Sequence, residues 1–302
     1  MTGTTETIKL NAVIGFPLGH SLSPTLHNHI YEQEGIEAQM RAVANENILE
    51  LVAMIRFTPF NLVAVTIPHK QTIIPLLDEV DNVAREIGAV NTVINRQGKL
   101  FGYNTDIVGI ERTLNSALLK NKNVLLVGAG GVAQPIAYYI TKCGGKLLCA
   151  NRDKKSTLSL VKKFSGQAVD LDQLDTKDID VIINATPLGM KGDLVDLLPV
   201  PEKLISSNQV VFDCVYNPLQ TKLLQLARLR GAKTISGLEM FVAQGLAQEE
   251  LWLERALTPY DYRSYLEVNL ITLNYKTPHF VIPSEDSHPT RDLHYGENWP
   301  TG

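Results

Sequence analysis

The sequence predicts an α/β protein of two domains, and three observations carry that prediction. Val124-Leu125-Leu126-Val127 is a strand-length apolar run, Gly128 and Gly130 form a tight turn after it, and Val132, Ile136, Ala137 and Ile140 then share one face of a helix. From there to Ser236 apolar runs alternate with helix-period stretches, which demands a parallel sheet covered by helices. The first hundred residues alternate strand and helix patterns of their own. A chain of 302 residues is long enough for two separate cores.

In chain order, residues 8–14 form the first predicted strand, which ends in the turn-rich Gly15-Phe16-Pro17-Leu18-Gly19. Ser23 reads as an N-cap and Pro24 as the first helical residue of a helix that runs to Glu34 and stops at Gly35. A strand over 36–43, a helix over 48–55 and a buried strand over 62–65 follow. That last strand runs into Thr66-Ile67-Pro68-His69-Lys70, and a helix is expected over 71–77. Strands over 90–95 and 99–103 join across Gln97-Gly98, and Asn104-Thr105-Asp106 supplies caps for a helix over 107–118. After the glycine turn come strands over 146–150, 180–184, 210–212 and 233–235, with helices over 154–164 and 219–229. Long helical patterns cover 239–256 and 260–272. The expected domains are therefore 1–106 and 107–237, with helices over 238–274 that chain order returns to the first domain. Residues 275–302 read as an irregular tail, in part disordered.

Composition narrows the function. Hydrophobic residues at 44% and charged residues at 20% are ordinary values for a soluble chain. A net charge of −4 gives no reason to expect nucleic acid or an anionic membrane as a partner. No apolar run reaches membrane-span length, and Met1-Thr2-Gly3-Thr4-Thr5-Glu6 lacks a signal-peptide core. Cys143, Cys149 and Cys214 are odd in number and lack metal-ligand spacing, so they are expected to be core thiols in the reducing cytoplasm. No metal site is expected.

The turn at Gly128 has the G-x-G-x-x-A form of a Rossmann-type dinucleotide-binding unit. Gly128, Ala129, Gly130, Gly131, Val132 and Ala133 would let backbone approach a pyrophosphate at a helix N-terminus. Pro135 is tolerated in the first turn, where a missing N–H is no loss. Ser21 and Ser23 can aim both hydroxyls one way in an extended segment, a neutral cradle for a carboxylate; the plainer reading is a loop hydroxyl and a helix cap. Lys70 at a strand end and Asp106 at a helix start are each ordinary alone. Paired across one crevice, they could donate and accept a proton at a substrate oxygen.

Motifs along the chain resemble the signatures of the shikimate dehydrogenase family. They are His20-Ser21-Leu22-Ser23-Pro24 with Leu26-His27-Asn28, Val65 to Lys70, Gly88-Ala89-Val90-Asn91-Thr92 and Gly102-Tyr103-Asn104-Thr105-Asp106. Gly128 to Gly131, Asn151-Arg152, Asn184 to Met190, Asp213 to Pro218 and Gly237-Leu238-Glu239-Met240 with Gln244-Gly245 continue the series over about residues 10–250. The resemblance implies two α/β domains facing a cleft and reversible, nicotinamide-dependent reduction of 3-dehydroshikimate to shikimate. By the same resemblance, Ser21 and Ser23 hold the substrate carboxylate and Thr66, Asn91 and Gln244 bind ring hydroxyls. Lys70 and Asp106 form the acid–base pair, and Tyr216 lines the site near the nicotinamide. Asn184, Ala185, Thr186, Gly237 and Met240 flank the cofactor beside the glycine turn. His69 and Cys214 have no required role. A small-molecule substrate and a monomer or homodimer complete the expectation.

Two positions depart from the family pattern. Ala64 stands where the family has asparagine. Asn151-Arg152-Asp153-Lys154-Lys155-Ser156 carries Asp153 where an NADP reader has threonine. Arg152 with Lys154 or Lys155 would pair with a 2′-phosphate, whereas Asp153 facing the ribose would favour NAD. Basic residues outnumber the one acid, so NADP is the expected cofactor and NAD the alternative. An NAD-dependent quinate/shikimate dehydrogenase is the second reading. A catalytically silent nucleotide-binding regulator is the third, although it would be expected to lose Lys70 or Asp106, and this chain has both.

Overall fold

A computed structural model describes residues 8–19 and 21–275. His20 and the expected tail beyond Tyr275 lie outside the described residues. The first half comprises β1 (Lys9–Gly15), α1 (Ser23–Glu34), β2 (Ala38–Ala44), α2 (Ile48–Phe57), β3 (Phe60–Val65), β4 (Glu79–Val80), α3 (Asn82–Ile87), β5 (Thr92–Arg96) and β6 (Lys99–Tyr103). Its strands lie in the order β2-β1-β3-β5-β6-β4. β2, β1 and β3 are parallel, and β5 runs antiparallel to both β3 and β6. Gln97 and Gly98, with φ of 56° and 88°, make the tight β5–β6 turn that two successive left-handed residues allow.

The second half begins with α4 (Asp106–Thr113), β7 (Asn123–Val127), α5 (Ala133–Lys142), β8 (Lys146–Ala150), α6 (Lys154–Lys163) and β9 (Gln167–Ala168). It continues with β10 (Val181–Asn184), β11 (Val210–Asp213), α7 (Lys222–Leu229) and β12 (Lys233–Ser236), then α8 (Gly237–Leu253) and α9 (Tyr262–Tyr275). Six strands lie in the order β12-β11-β10-β7-β8-β9, every pair parallel. β10 is buried along its whole length, as a central parallel strand covered on both faces must be.

Helices α8 and α9 pack on α1, where Leu22, Leu26 and Ile30 meet Leu238, Val242, Tyr262, Leu266 and Leu270. A second cluster joins the two halves: Ile87 and Ala89 of the first share it with Ile107, Ile110, Ile136, Ala137, Ile140, Leu160 and Phe164 of the second. Among the described residues no helix is long and apolar enough to cross a membrane.

Four local expectations change. Residues 71–77 form turns and one 3-10 turn at Ile74–Leu76, because Pro75 has no N–H to carry an α-helical ladder onward. The helix expected over 107–118 ends at Thr113, and Asn115 then caps a separate 3-10 turn at Ser116–Leu118. Ser23 is the first residue of α1 rather than its cap: Leu22 holds the cap position, and Ser21 Oγ accepts the Ser23 N–H at 3.3 Å. The short elements β4, α3 and β9 have no counterpart in the sequence reading, although Asp81 as cap and Gly88 as left-handed stop mark α3 clearly.

Candidate active site

The chemistry-bearing residues collect where the carboxyl ends of the two sheets approach each other, the place parallel sheets offer ligands. β3 delivers Thr66 and, four residues on, Lys70. α4 presents Asp106 as its first residue. Lys70 Nζ donates to Asp106 Oδ2 at 2.6 Å, with both side chains mostly shielded from solvent. The other carboxylate oxygen, Oδ1, accepts Asn91 Nδ2 at 2.9 Å. Asn91 Oδ1 in turn accepts the Thr105 N–H at 2.7 Å and the Thr92 hydroxyl at 2.8 Å. With its oxygen so engaged, the Asn91 amide can only point its NH₂ at Asp106, Thr105 and Gln244. The lysine and aspartate that were ordinary alone are therefore one held pair.

Around it, Gln244 Oε1 lies 3.3 Å from Asn91 Nδ2, while its own amide donates to Phe241 O at 2.8 Å. Among the described residues the hydroxyls of Thr66 and Ser23 have no partner. Tyr216 reaches from the second half to the start of α1, where it packs against the apolar cluster that contains Leu22 and Leu26; burial pushes its hydroxyl up to about 12. Ser21, Ser23 and Tyr216 thus surround one helix N-terminus. Gln248 and Thr92 were missed by the sequence reading. Gln248 Nε2 donates to Asn91 O and Thr92 Oγ1, both at 3.0 Å, and so braces the asparagine from behind. Ala64 pairs across the ladder with Thr92, and Gln248 Oε1 has no hydrogen-bond partner there.

At the other half, Gly128 has φ of 114°, and a Cβ on it would lie 2.8 Å from Ala185 O. The next glycine, Gly130, faces open space: a Cβ there would meet nothing within 4 Å. A Cβ on Gly131 would stand 3.0 Å from Lys70 Cβ, so the glycine loop abuts the catalytic candidate of the first half. Val132 and Ala133 open α5. Asn184 is fully buried and spent inside the protein: Nδ2 donates to Leu188 O and Asp213 Oδ1, and Oδ1 accepts the Thr186 N–H and hydroxyl. Its place is to shape the Ala185–Thr186 loop rather than to point outward. Gly237 lies against Cys214 O, too close for any Cβ, and Met240 packs beneath Gly109 in the core.

Asp153 caps α6. Its carboxylate accepts the Lys155 N–H at 3.0 Å and the Ser156 N–H at 3.3 Å, together with the Ser156 hydroxyl. The Ser156 hydroxyl and these N–H groups hold the carboxyl below the usual aspartate range. Asn151 Nδ2 donates to Asp153 O at 3.3 Å, and the Arg152 and Lys155 side chains extend to solvent with no ion pair among the described residues. The buried His69 donates from Nε2 to Asn45 O at 2.8 Å, a structural tie. Burial pushes the Cys214 thiol well above its ordinary value.

The matches to known proteins follow the same division. Residues 13–93 match the shikimate dehydrogenase substrate binding domain, and residues 111–190 match the shikimate / quinate 5-dehydrogenase model. A shikimate dehydrogenase (NADP+) of Oleidesulfovibrio alaskensis is 39% identical over 254 residues, covering 82% of this chain and 91% of that protein. One from Methanococcus maripaludis is 40% identical over 259 residues, covering 81% and 91%. Among solved structures, a shikimate dehydrogenase in complex with NADP+ superposes with a TM-score of 0.79 at 33% identity, covering 88% of this chain and 95% of that one. The Thermus thermophilus shikimate 5-dehydrogenase, in complex with NADP(H) and shikimate, gives 0.77 at 31% identity, covering 87% and 99%. With both halves matched in order and such identity over four-fifths of its length, the chain belongs to the shikimate dehydrogenase family.

Proposed function

We propose that this chain catalyses the reversible, NADP-dependent interconversion of 3-dehydroshikimate and shikimate. Residues 1–106 with the helices over 238–274 would hold the substrate, and residues 107–237 the cofactor. The observation that carries the reading is the Lys70–Asp106 pair, oriented by Asn91 and touching the glycine loop of the other half.

The second half fits NADP in three ways. Gly130 leaves the room a pyrophosphate needs at the start of α5. Arg152 and Lys155 are free to meet a 2′-phosphate. The carboxylate of Asp153 faces the N-terminus of α6 and so does not offer its oxygens to a free ribose hydroxyl. That engagement weighs against the NAD-dependent alternative. When bound, NADPH supplies the hydride. Lys70 would give a proton to the oxygen of the forming alcohol and regain one from solvent, while the Asp106 carboxylate, oriented by Asn91, holds the amine in place and favours its protonated form. Ser21, Ser23 and the N–H groups at the start of α1 would receive the carboxylate; Thr66, Asn91 and Gln244 would receive ring hydroxyls. Every group comes from one chain, so a monomer suffices and a homodimer is compatible. The reading sets the reaction in the cytoplasm, where the three free thiols stay reduced.

The test is a four-way comparison of kcat/KM with shikimate or quinate and NADP or NAD. Shikimate with NADP is expected to exceed the other three pairs. Turnover of none of them would remove the enzyme reading, and preference for NAD would return Asp153 to the ribose.

A further inference from the structure

Asn11, His27, Tyr31 and Glu249 form a polar cluster between α1, α8 and the first sheet, and no step above uses it. His27 and Glu249 are both fully buried. The His27 Nδ1 meets Glu249 Oε1, and the Tyr31 hydroxyl donates to the same oxygen at 2.7 Å. Asn11 Nδ2 donates to the Tyr31 hydroxyl at 2.7 Å, while Asn11 Oδ1 accepts the Leu62 N–H at 2.9 Å. That last bond fills the gap where the β1–β3 register shifts between Leu10 and Ala12. One line of hydrogen bonds thus runs from β3 through β1 and α1 to α8. Buried pairs of this kind add little stability over apolar side chains of the same volume, so stability alone gives no reason for it.

Its position gives a reason. His27 lies one helical turn beyond Ser23 on α1, and Glu249 lies five residues beyond Gln244 on α8. Between these points the helices touch: a Cβ on Gly245 would lie 2.6 Å from Leu26 Cδ2. Apolar packing at a crossing this close leaves α1 free to rotate and slide by small amounts, since it has no direction. Hydrogen bonds to one carboxylate oxygen from two residues of α1 do have direction. We infer that His27, Tyr31 and Glu249 are positioning residues: they hold α1 on α8 in the register that sets the span from the Ser21 and Ser23 hydroxyls to the Gln244 amide. They therefore govern binding of the substrate and not of the cofactor. The inference rests on the proposed substrate contacts of Ser21, Ser23 and Gln244.

The test replaces the pair by apolar side chains of similar size, His27→Leu with Glu249→Met, in the full chain. The expected result is a melting temperature near that of the wild type, KM for shikimate raised about tenfold or more, and KM for NADP within about twofold, because misplacement of about 1 Å is enough for such losses. Glu249→Gln, which keeps both acceptor bonds, is expected to restore most of the shikimate affinity. Tyr31→Phe keeps the ring and removes one directional bond; it carries the same expectation, reduced to a few-fold, should the double variant fail to fold. A folded variant of either kind with wild-type KM for shikimate overturns the inference, as does an equal rise in both KM values. Ser23→Ala, assayed beside them, separates the two layers. If it raises KM for shikimate while the cluster variants do not, only the positioning role falls; if it raises nothing, the cradle falls and the positioning role with it.

Discussion

Lys70 owes its proposed role to what surrounds its ammonium group rather than to its place in the sequence. One aspartate oxygen holds it at 2.6 Å, and the other is fixed by Asn91. Lys70→Ala is expected to lower kcat by about 10²–10⁴-fold with KM for shikimate nearly unchanged, as removal of a proton donor used in the transition state should. A loss confined to KM would make Lys70 a binding residue instead. Steady-state kinetics with NADP decide between them. Cofactor choice is a second question of single residues. Arg152→Ala is expected to raise KM for NADP about tenfold and leave KM for NAD almost unmoved, since a charge-assisted contact to phosphate is lost. Asp153→Asn keeps the acceptor that caps α6 and is expected to shift the NADP to NAD ratio far less. A larger shift from Asp153 than from Arg152 would reverse the assignment. The motif residues were legible through their ordered resemblance to the family's signatures, whereas taken singly Ser23, Lys70 and Asp106 are as ordinary as a cap, a surface lysine and another cap. The bracing by Gln248 was not legible, since a glutamine 156 residues from Thr92 becomes its neighbour only once α8 returns to β5. The capping role of Asp153 was open for a different reason: an acid before a helix serves cap and ribose equally well until its side chain is located.

Elements show the same contrast between pattern and context. The central strands and their following helices stand out in the sequence because parallel strands are apolar throughout and helices keep their period. Residues 71–77 look helical by composition, yet Pro75 and the return of the chain to β4 leave room for one 3-10 turn. β4 and β9 have two residues each, too few to carry any alternation. The junction of β11 and α7 holds a feature with a measurable consequence. Asp213 ends β11 and accepts the Thr221 hydroxyl at 2.6 Å, the Val215 N–H at 3.0 Å and Asn184 Nδ2 at 2.9 Å. Burial outweighs these donors and pushes its carboxyl up to about 6. The folded chain then binds this proton more tightly than the unfolded chain, whose aspartates titrate near ~3.9. Its contribution to stability is full below about pH 4 and is lost as pH rises through the folded value. Asp213→Asn is expected to remove that loss. Between pH 4 and pH 7 the variant should gain on the wild type by on the order of 3 kcal/mol in urea unfolding. Parallel pH profiles for the two proteins would show that Asp213 ionises in the fold as easily as in the open chain.

At the scale of the whole molecule, the two sheets are coupled by apolar packing. Ile87 and Ala89 of the first half enter the same cluster as Ile107, Ile110, Ile136, Ile140, Leu160 and Phe164 of the second, so neither half can unfold without exposing core of the other. Polar ties cross the same seam, with Lys163 Nζ donating to Ile87 O at 2.8 Å and Tyr138 to Glu86 at 3.1 Å. The seam predicts one cooperative unfolding transition rather than two. Trp252 offers the probe, because it lies on α8 edge-to-face with Tyr31 at 5.9 Å, among elements of the first half. The chain has only two tryptophans, so Trp299→Phe leaves Trp252 as the sole reporter. NADP binds, on the proposed function, to the second half alone, and at about 100 times its Kd it should stabilise the folded state by about 2.7 kcal/mol. If the halves are one cooperative unit, the fluorescence midpoint of Trp252 must rise with NADP by as much as the circular dichroism midpoint of the whole chain. A Trp252 transition that stays in place while the other moves would mean the seam is too weak to couple the sheets. Substrate and cofactor would then have to bring the two halves of the site together themselves.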